Sequence, residues 1–294
     1  MKILIILALA TIKLFCQQKE VKLLPPESGI YHTAFSTTYS SSNNVSDSEV
    51  SHFENLAGKK LVWLNFQSDW FNGIKFPAES VKNIWKHGAI PSIRMLPWST
   101  YDKYDKTYSL KKIVEGKFEQ ELRTWAKELK KTDIPVLIGF AGEPNGDWFP
   151  WSGIQNGGGT TNGYGDKNLA DGPELYRDAY RYIIDIFKDE GALKVTWIFH
   201  VNSVGAPDEE WNNIKNYYPG DSYIDWIGIS AYGAQRWGES YQRFVDIMQP
   251  GYDELLKLSG DKPIAILEFG VADYLPNVNK ALWIQSALYT VQQP

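Results

Sequence analysis

Residues 134–147 read Ile-Pro-Val-Leu-Ile-Gly-Phe-Ala-Gly-Glu-Pro-Asn-Gly-Asp. Ile134–Ala141 is apolar on both alternating faces and ends at the turn residues Gly142, Pro144, Asn145 and Gly146. A short, two-sided apolar run closed by turn chemistry predicts a strand covered on both faces, as in a parallel sheet. The same pattern recurs at Gly29–Phe35, Lys60–Phe66, Ile90–Leu96, Val195–Val201, Ile224–Ala231 and Pro263–Phe269. Between these runs, apolar residues change to helical spacing. Phe118–Lys131 places Leu122, Trp125, Ala126 and Leu129 on one face, and helices also fit Asp47–Leu56, Ala78–His87, Pro173–Lys188, Tyr241–Ser259 and Asn279–Gln292. Residues 142–172 read as a long loop rich in Gly, Asn and Trp. Seven strand-then-helix units running one way predict an α/β fold, a (β/α)8 (TIM) barrel in preference to an open sheet.

The flanks and composition bound the rest. The chain has 294 residues and a net charge of −5, without a long basic run, so a nucleic-acid partner is not expected. Lys2 followed by the apolar run Ile3–Ala10 has the form of a secretory signal, too short for the about 20 residues that span a bilayer. The expected division is a signal peptide over 1–16, a short polar tether over 17–28 and one catalytic barrel over 29–294. A secreted or cell-surface protein follows. Cys16, the only cysteine, excludes an intrachain disulfide. Its place after the apolar run leaves open a lipid anchor or ordinary cleavage. Asn44-Val45-Ser46 matches a glycosylation acceptor, relevant only in a eukaryotic secretory pathway.

Several familiar chemistries lack their residues. The glycines at 157–159 and 163 are not followed by Gly-Lys-Ser/Thr and do not form a phosphate loop. His32, His52, His87 and His200 are scattered, so neither a metal nor a cofactor is expected. There is no Gly-x-Ser-x-Gly elbow. Two acids stand apart: Glu143 and Glu268 each directly follow or end an apolar strand, where a charge is costly unless it faces a polar cavity. In a barrel of this type the functional groups sit at the C-terminal strand ends. A pair of carboxylates there, one protonated and one ionised, is what cleavage of a glycosidic bond requires. The 12 Trp, 17 Tyr and 13 Phe suit either a ring-rich core or platforms for sugar faces.

The segment Gly142-Glu143-Pro144-Asn145-Gly146-Asp147-Trp148-Phe149-Pro150-Trp151 resembles the acid/base signature of glycoside hydrolase family 26. Further resemblance lies at Trp197-Ile198-Phe199-His200-Val201-Asn202, Tyr217-Tyr218-Pro219-Gly220-Asp221, Asp225-Trp226-Ile227-Gly228 and Ala265-Ile266-Leu267-Glu268-Phe269-Gly270, in family order over roughly residues 60 to 290. The resemblance implies a retaining endo-β-glycanase, mainly of the β-1,4-mannanase type, with mixed-linkage β-glucan and β-xylan as rival substrates. It implies Glu143 as general acid/base and Glu268 as nucleophile. Trp148 falls where the family lines the cleavage subsite, and Tyr232 where a tyrosine holds the nucleophile. Gly142 stands where the family's mannanases usually carry His, which keeps mixed-linkage glucan in play. Beside this, the residues themselves suggest substrate contacts from Trp98, Trp151, His200 and Asn202, and from Arg94 a sugar contact or a pairing with a carboxylate. A catalytically inactive carbohydrate-binding barrel is the reading from another class, disfavoured by the presence of both acids. A polysaccharide partner, no transmembrane span and a monomeric state are expected. Only 26 residues follow Glu268, room for one helix and no eighth strand, so C-terminal truncation of the barrel is a further expectation.

Overall fold

The fold is seen in a computed structural model, which describes residues 20–35 and 45–292. The leader 1–16, Cys16 and Asn44 lie outside them. Seven strands form one sheet in sequence order: β1 (Ala34–Phe35), β2 (Trp63–Asp69), β3 (Ile90–Leu96), β4 (Val136–Phe140), β5 (Val195–Asn202), β6 (Trp226–Tyr232) and β7 (Ile264–Gly270). Every pairing is parallel. The helices are α1 (Asp47–Ala57), α2 (Ala78–Lys86), α3 (Leu110–Val114), α4 (Glu119–Thr132), α5 (Asp171–Asp189), α6 (Ile214–Tyr217), α7 (Phe244–Leu258) and α8 (Lys280–Val291). Among the described residues no strand joins β1 to β7. No described helix is long and apolar enough to cross a membrane.

The sheet curls, and the central strands bury both faces. Side chains on one face meet the helices. Phe140, for example, lies against Tyr176 and Tyr180 of α5, and those hydroxyls donate to Phe140 O at 3.1 Å and Ile198 O at 2.8 Å. Side chains on the other face meet one another across the barrel. Trp63 of β2 and Trp226 of β6 sit 5.8 Å apart edge to face, although three strands separate them in the sheet. With Leu137, Ile198 and Ala265 they form a separate apolar floor, against which Leu23, Tyr31 and Leu267 pack. The entering chain seals this floor from below. Lys22 Nζ reaches Val195 O at 2.7 Å and Asp225 at 2.8 Å, and Trp226 Nε1 donates to Leu23 O at 2.8 Å.

Two details depart from the expected elements. The first strand shortens to two paired residues, Ala34 with Leu64 and Phe35 with Asn65. On β7 the register slips: Ile229 pairs with Ile266, but Ser230 pairs with Glu268. This bulge carries one extra residue, Leu267. Alternation would send neighbours to opposite faces, yet Leu267 packs on the apolar floor and Glu268 joins it in lining the interior. A bulge thereby brings Glu268 inside.

Leu267 occupies space that only a glycine at 228 leaves free. A Cβ at Gly228 would lie 2.3 Å from Leu267 Cδ1 and 2.8 Å from its Cγ. Gly228→Ala is therefore expected to cost about 1–3 kcal/mol in urea unfolding. Combining it with Leu267→Ala is expected to cost less than the sum of the two single changes. Strictly additive costs would contradict this packing.

Candidate active site

Glu143 sits on the turn that leaves β4. The backbone there is left-handed at two non-glycine residues, Ala141 (φ 49°) and Glu143 (φ 56°), a conformation that costs of order 1–3 kcal/mol each. Neighbouring strands hold it: Ala141 N donates to Met95 O at 2.9 Å and Glu143 N to His200 O at 2.8 Å. Buried Asn145 clamps the turn to the end of β5. Its Nδ2 donates to Asn202 O at 2.8 Å, while its Oδ1 accepts from Asn202 N at 2.9 Å. Past the turn, Trp148 folds back so that its Nε1 donates to Glu143 Oε2 at 3.0 Å. Gly146 makes room for this, since a Cβ there would come 2.4 Å from the indole.

Glu268 arrives from the opposite wall. Arg94 of β3 pairs with it, Nη1 to Oε1 at 2.6 Å, and the Tyr232 hydroxyl donates to Oε2 at 2.7 Å. The guanidinium also lies over the Phe35 ring at 5.5 Å. Close to both acids is His200, whose Nε2 is 2.7 Å from Ser230 Oγ. One donor atom each from Glu143, His200 and Glu268 lie within 4.8 Å of one another.

The two carboxyls are driven apart electrostatically. Burial raises the Glu143 pKa, the nearby Glu268 charge raises it further, and the Ser230 hydroxyl, Arg94 and Trp148 only partly oppose this. Burial also pushes Glu268 up, but the Arg94 charge, His200 and the Tyr232 hydroxyl outweigh it and leave its carboxyl below the usual value. Burial pushes the His200 imidazole down to about 3, with Arg94 adding to this against the Glu268 charge. Tyr232, partly desolvated and beside Glu268, is held in its neutral form by a raised pKa. The trio has the spacing of a small-cation site, but the Arg94 charge already engages Glu268 and His200 Nε2 already engages Ser230. The chemistry this set supports is that of one proton-bearing acid facing one ionised carboxylate.

The other expected residues fall into two groups. Trp148 is 38% exposed, with a face open above Glu143, and the Asn202 side chain donates to Val204 O at the rim. Trp98, Trp151 and His200, expected to touch substrate, are instead 8%, 1% and 2% exposed. Trp151 Nε1 donates to Gly142 O at 2.8 Å, and its ring stacks on Phe149 and leans on Trp98, which supports the turn from beneath. His200 lies behind the acids with its ring against Gly142. Sequence reading missed Asn145 and Ser230. Asn145 stood inside the quoted motif, where a polar residue in a tight turn was its only signal; Ser230 sits within an apolar strand.

Fold and site together define a parallel α/β barrel with a buried carboxylate pair of opposed affinities at its C-terminal strand ends. The sequence description of glycosyl hydrolase family 26 matches residues 97–264, more than half of the chain, and the protein belongs to that family. It is 29% identical over 250 residues to endoglucanase H of Acetivibrio thermocellus, covering 84% of this chain and 25% of that one. It is 28% identical over 225 residues to a mannan endo-1,4-beta-mannosidase of Bacillus subtilis, covering 70% and 54%. The chain thus spans a quarter to about half of these curated relatives. The fold is similar to that of Bacillus subtilis mannanase BCman (TM-score 0.57, 20% identity, 94% and 79% covered). It is also similar to a beta-mannanase from a symbiotic protist of the termite Reticulitermes speratus (TM-score 0.56, 15% identity, 92% and 87% covered).

The depressed His200 pKa fixes a titration. Folded His200 is expected to stay neutral across pH 5 to 8 when its ring is followed by NMR. The unfolded chain takes up this proton near pH 6.5 and the folded chain only near 3, so this group's contribution to stability is full above about pH 6.5 and falls as pH drops from there to about 3. A His200 titration step near 6.5 in the folded protein would contradict the buried, neutral imidazole.

Proposed function

We propose that the protein is a retaining endo-β-glycanase acting on β-1,4-mannan-type polysaccharide, with Glu143 as general acid/base and Glu268 as nucleophile. The observation that carries the reading is the opposed pair: a buried and a half-buried carboxyl with oxygens within 4.8 Å, one raised and one lowered in pKa. Retaining glycosidases hold the pair about 5–5.5 Å apart, and inverting ones leave room for water at about 6.5–9.5 Å. The close approach here supports retention.

In the first step Glu268 attacks the anomeric carbon as Glu143 gives its proton to the departing oxygen. The glycosidic C–O bond breaks and a glycosyl ester forms on Glu268. In the second step the now ionised Glu143 takes a proton from water, whose oxygen displaces the Glu268 carboxylate and releases the sugar in its original anomeric form. Arg94 and Tyr232 hold Glu268 ionised and aimed. Trp148 offers an exposed indole face beside the cleavage point, suited to the apolar face of a pyranose.

Mixed-linkage β-glucan is the second reading, and a specific observation favours it. A Cβ at Gly142 would meet His200 Nδ1 at 2.7 Å, so with this ring in place the position cannot carry the histidine usual in the family's mannanases. The endoglucanase relative points the same way. Export is part of the proposal, supported by the leader pattern over 1–16.

Reducing-sugar release from galactomannan, lichenan and xylan tests the reading and ranks the substrates. Glu268→Ala is expected to lose at least about 10^4-fold in kcat. Glu143→Ala is expected to lose about 10^2–10^4-fold. The pH profile should be bell-shaped: activity falls on the acid side as Glu268 gains its proton and on the alkaline side as Glu143 loses its own. No release from any of these glycans by the unaltered protein, or near-normal turnover by Glu268→Ala, would overturn the proposal.

A further inference from the structure

His200 and Ser230 are fully buried polar residues that the two-carboxylate reaction does not use. Burying such groups is costly unless they bond to one another and to something that needs them. Their arrangement points in one direction. His200 Nε2 lies 2.7 Å from Ser230 Oγ, and Ser230 in turn is among the groups that lower the Glu143 pKa. The imidazole cannot turn away. Its ring lies flush on Gly142, where any Cβ would come 2.7 Å from Nδ1, and its own carbonyl accepts the Glu143 N–H at 2.8 Å. The glycine before the acid is the space that this ring requires.

We propose that His200 and Ser230 are positioning residues for Glu143: a neutral imidazole donates from Nε2 to Ser230 Oγ, which turns the hydroxyl proton toward the Glu143 carboxylate. A serine hydroxyl has one proton to give. With its oxygen already accepting from His200, that proton is directed at the acid. The bond is strongest to ionised Glu143, the form that must take a proton from water in the second step. Burial and the Glu268 charge otherwise favour the protonated form, so the donor chain favours the ionised form without adding charge. Facing Glu143 from the surrounding walls are Glu268 of β7, Arg94 of β3, Tyr232 of β6 and the Trp148 indole. Arg94 and Tyr232 spend their contacts on Glu268. Ser230 is the hydroxyl left for Glu143, and the inference rests on the acid/base role proposed above.

The test separates the two readings. In uniformly labelled, unaltered protein, 15N NMR should find the proton of His200 on Nε2; a proton on Nδ1 instead would overturn the proposal. Carboxyl 13C titration without substrate should place the Glu143 pKa about one unit higher in Ser230→Ala than in the unaltered protein, a tenfold change in proton affinity. His200→Gln, whose amide can donate along the same line, should restore most of the difference seen in His200→Met. With an activated aryl glycoside, Ser230→Ala should move the alkaline limb upward by the same amount and accumulate the glycosyl ester. An unchanged Glu143 pKa in a cooperatively folded Ser230→Ala protein would also overturn it. If the unaltered protein cleaves no glycan, the acid/base role falls, while the tautomer and titration still decide the donor chain.

Discussion

The site depends on one ion pair, Arg94 with Glu268 at 2.6 Å. Two carboxylates this close in a buried pocket repel strongly when both are ionised, because the local dielectric is far below that of water. One guanidinium, committed to one of them, breaks the symmetry: the Glu268 carboxyl is held below the usual carboxylate pKa and the Glu143 carboxyl above it. The pair is long-range in the fold, joining β3 to β7. It exists only because the sheet curls and because a bulge at Leu267 turns Glu268 inward. Curl, bulge and charge asymmetry are therefore one structural fact seen at three scales.

Absent side chains are as important as present ones. Gly228 admits Leu267 beneath the nucleophile candidate, Gly142 admits the His200 ring, and Gly146 admits the Trp148 indole that bonds Glu143. Each glycine makes room for a larger side chain on or beside an acid-bearing segment. The left-handed backbone at Ala141 and Glu143 is held by bonds to β3 and β5 and by the Asn145 clamp. Strain gathered at one turn, with supports from both neighbouring strands, fits a group that must be aimed rather than merely buried.

Much of this was legible in the amino-acid order. Long two-sided apolar runs read as parallel strands because both faces are covered, and Glu143 and Glu268 stood out because a charge ending such a run needs a reason. The short helices α3 and α6 were not read, since four or five residues give too little periodicity. The helix α5 starts at Asp171, two residues before Pro173, because a buried Asp171 carboxylate gathers the N–H groups of Gly163 and Tyr164 from the preceding loop. Trp98 and Trp151 read like platforms from their place after strands, but whether a ring faces cleft or core depends on loops that fold over it. Ser230 was invisible for a related reason: one polar residue in an apolar strand gains meaning only when His200 arrives beside it from the next strand.

The most direct test of the central claim is to trap the first step. A slowly hydrolysed 2-deoxy-2-fluoro glycoside with a good leaving group should label the protein once, and peptide mass spectrometry should place the sugar on Glu268. Absence of a covalent adduct with turnover of the same reagent, or a label on another carboxylate, would contradict the account.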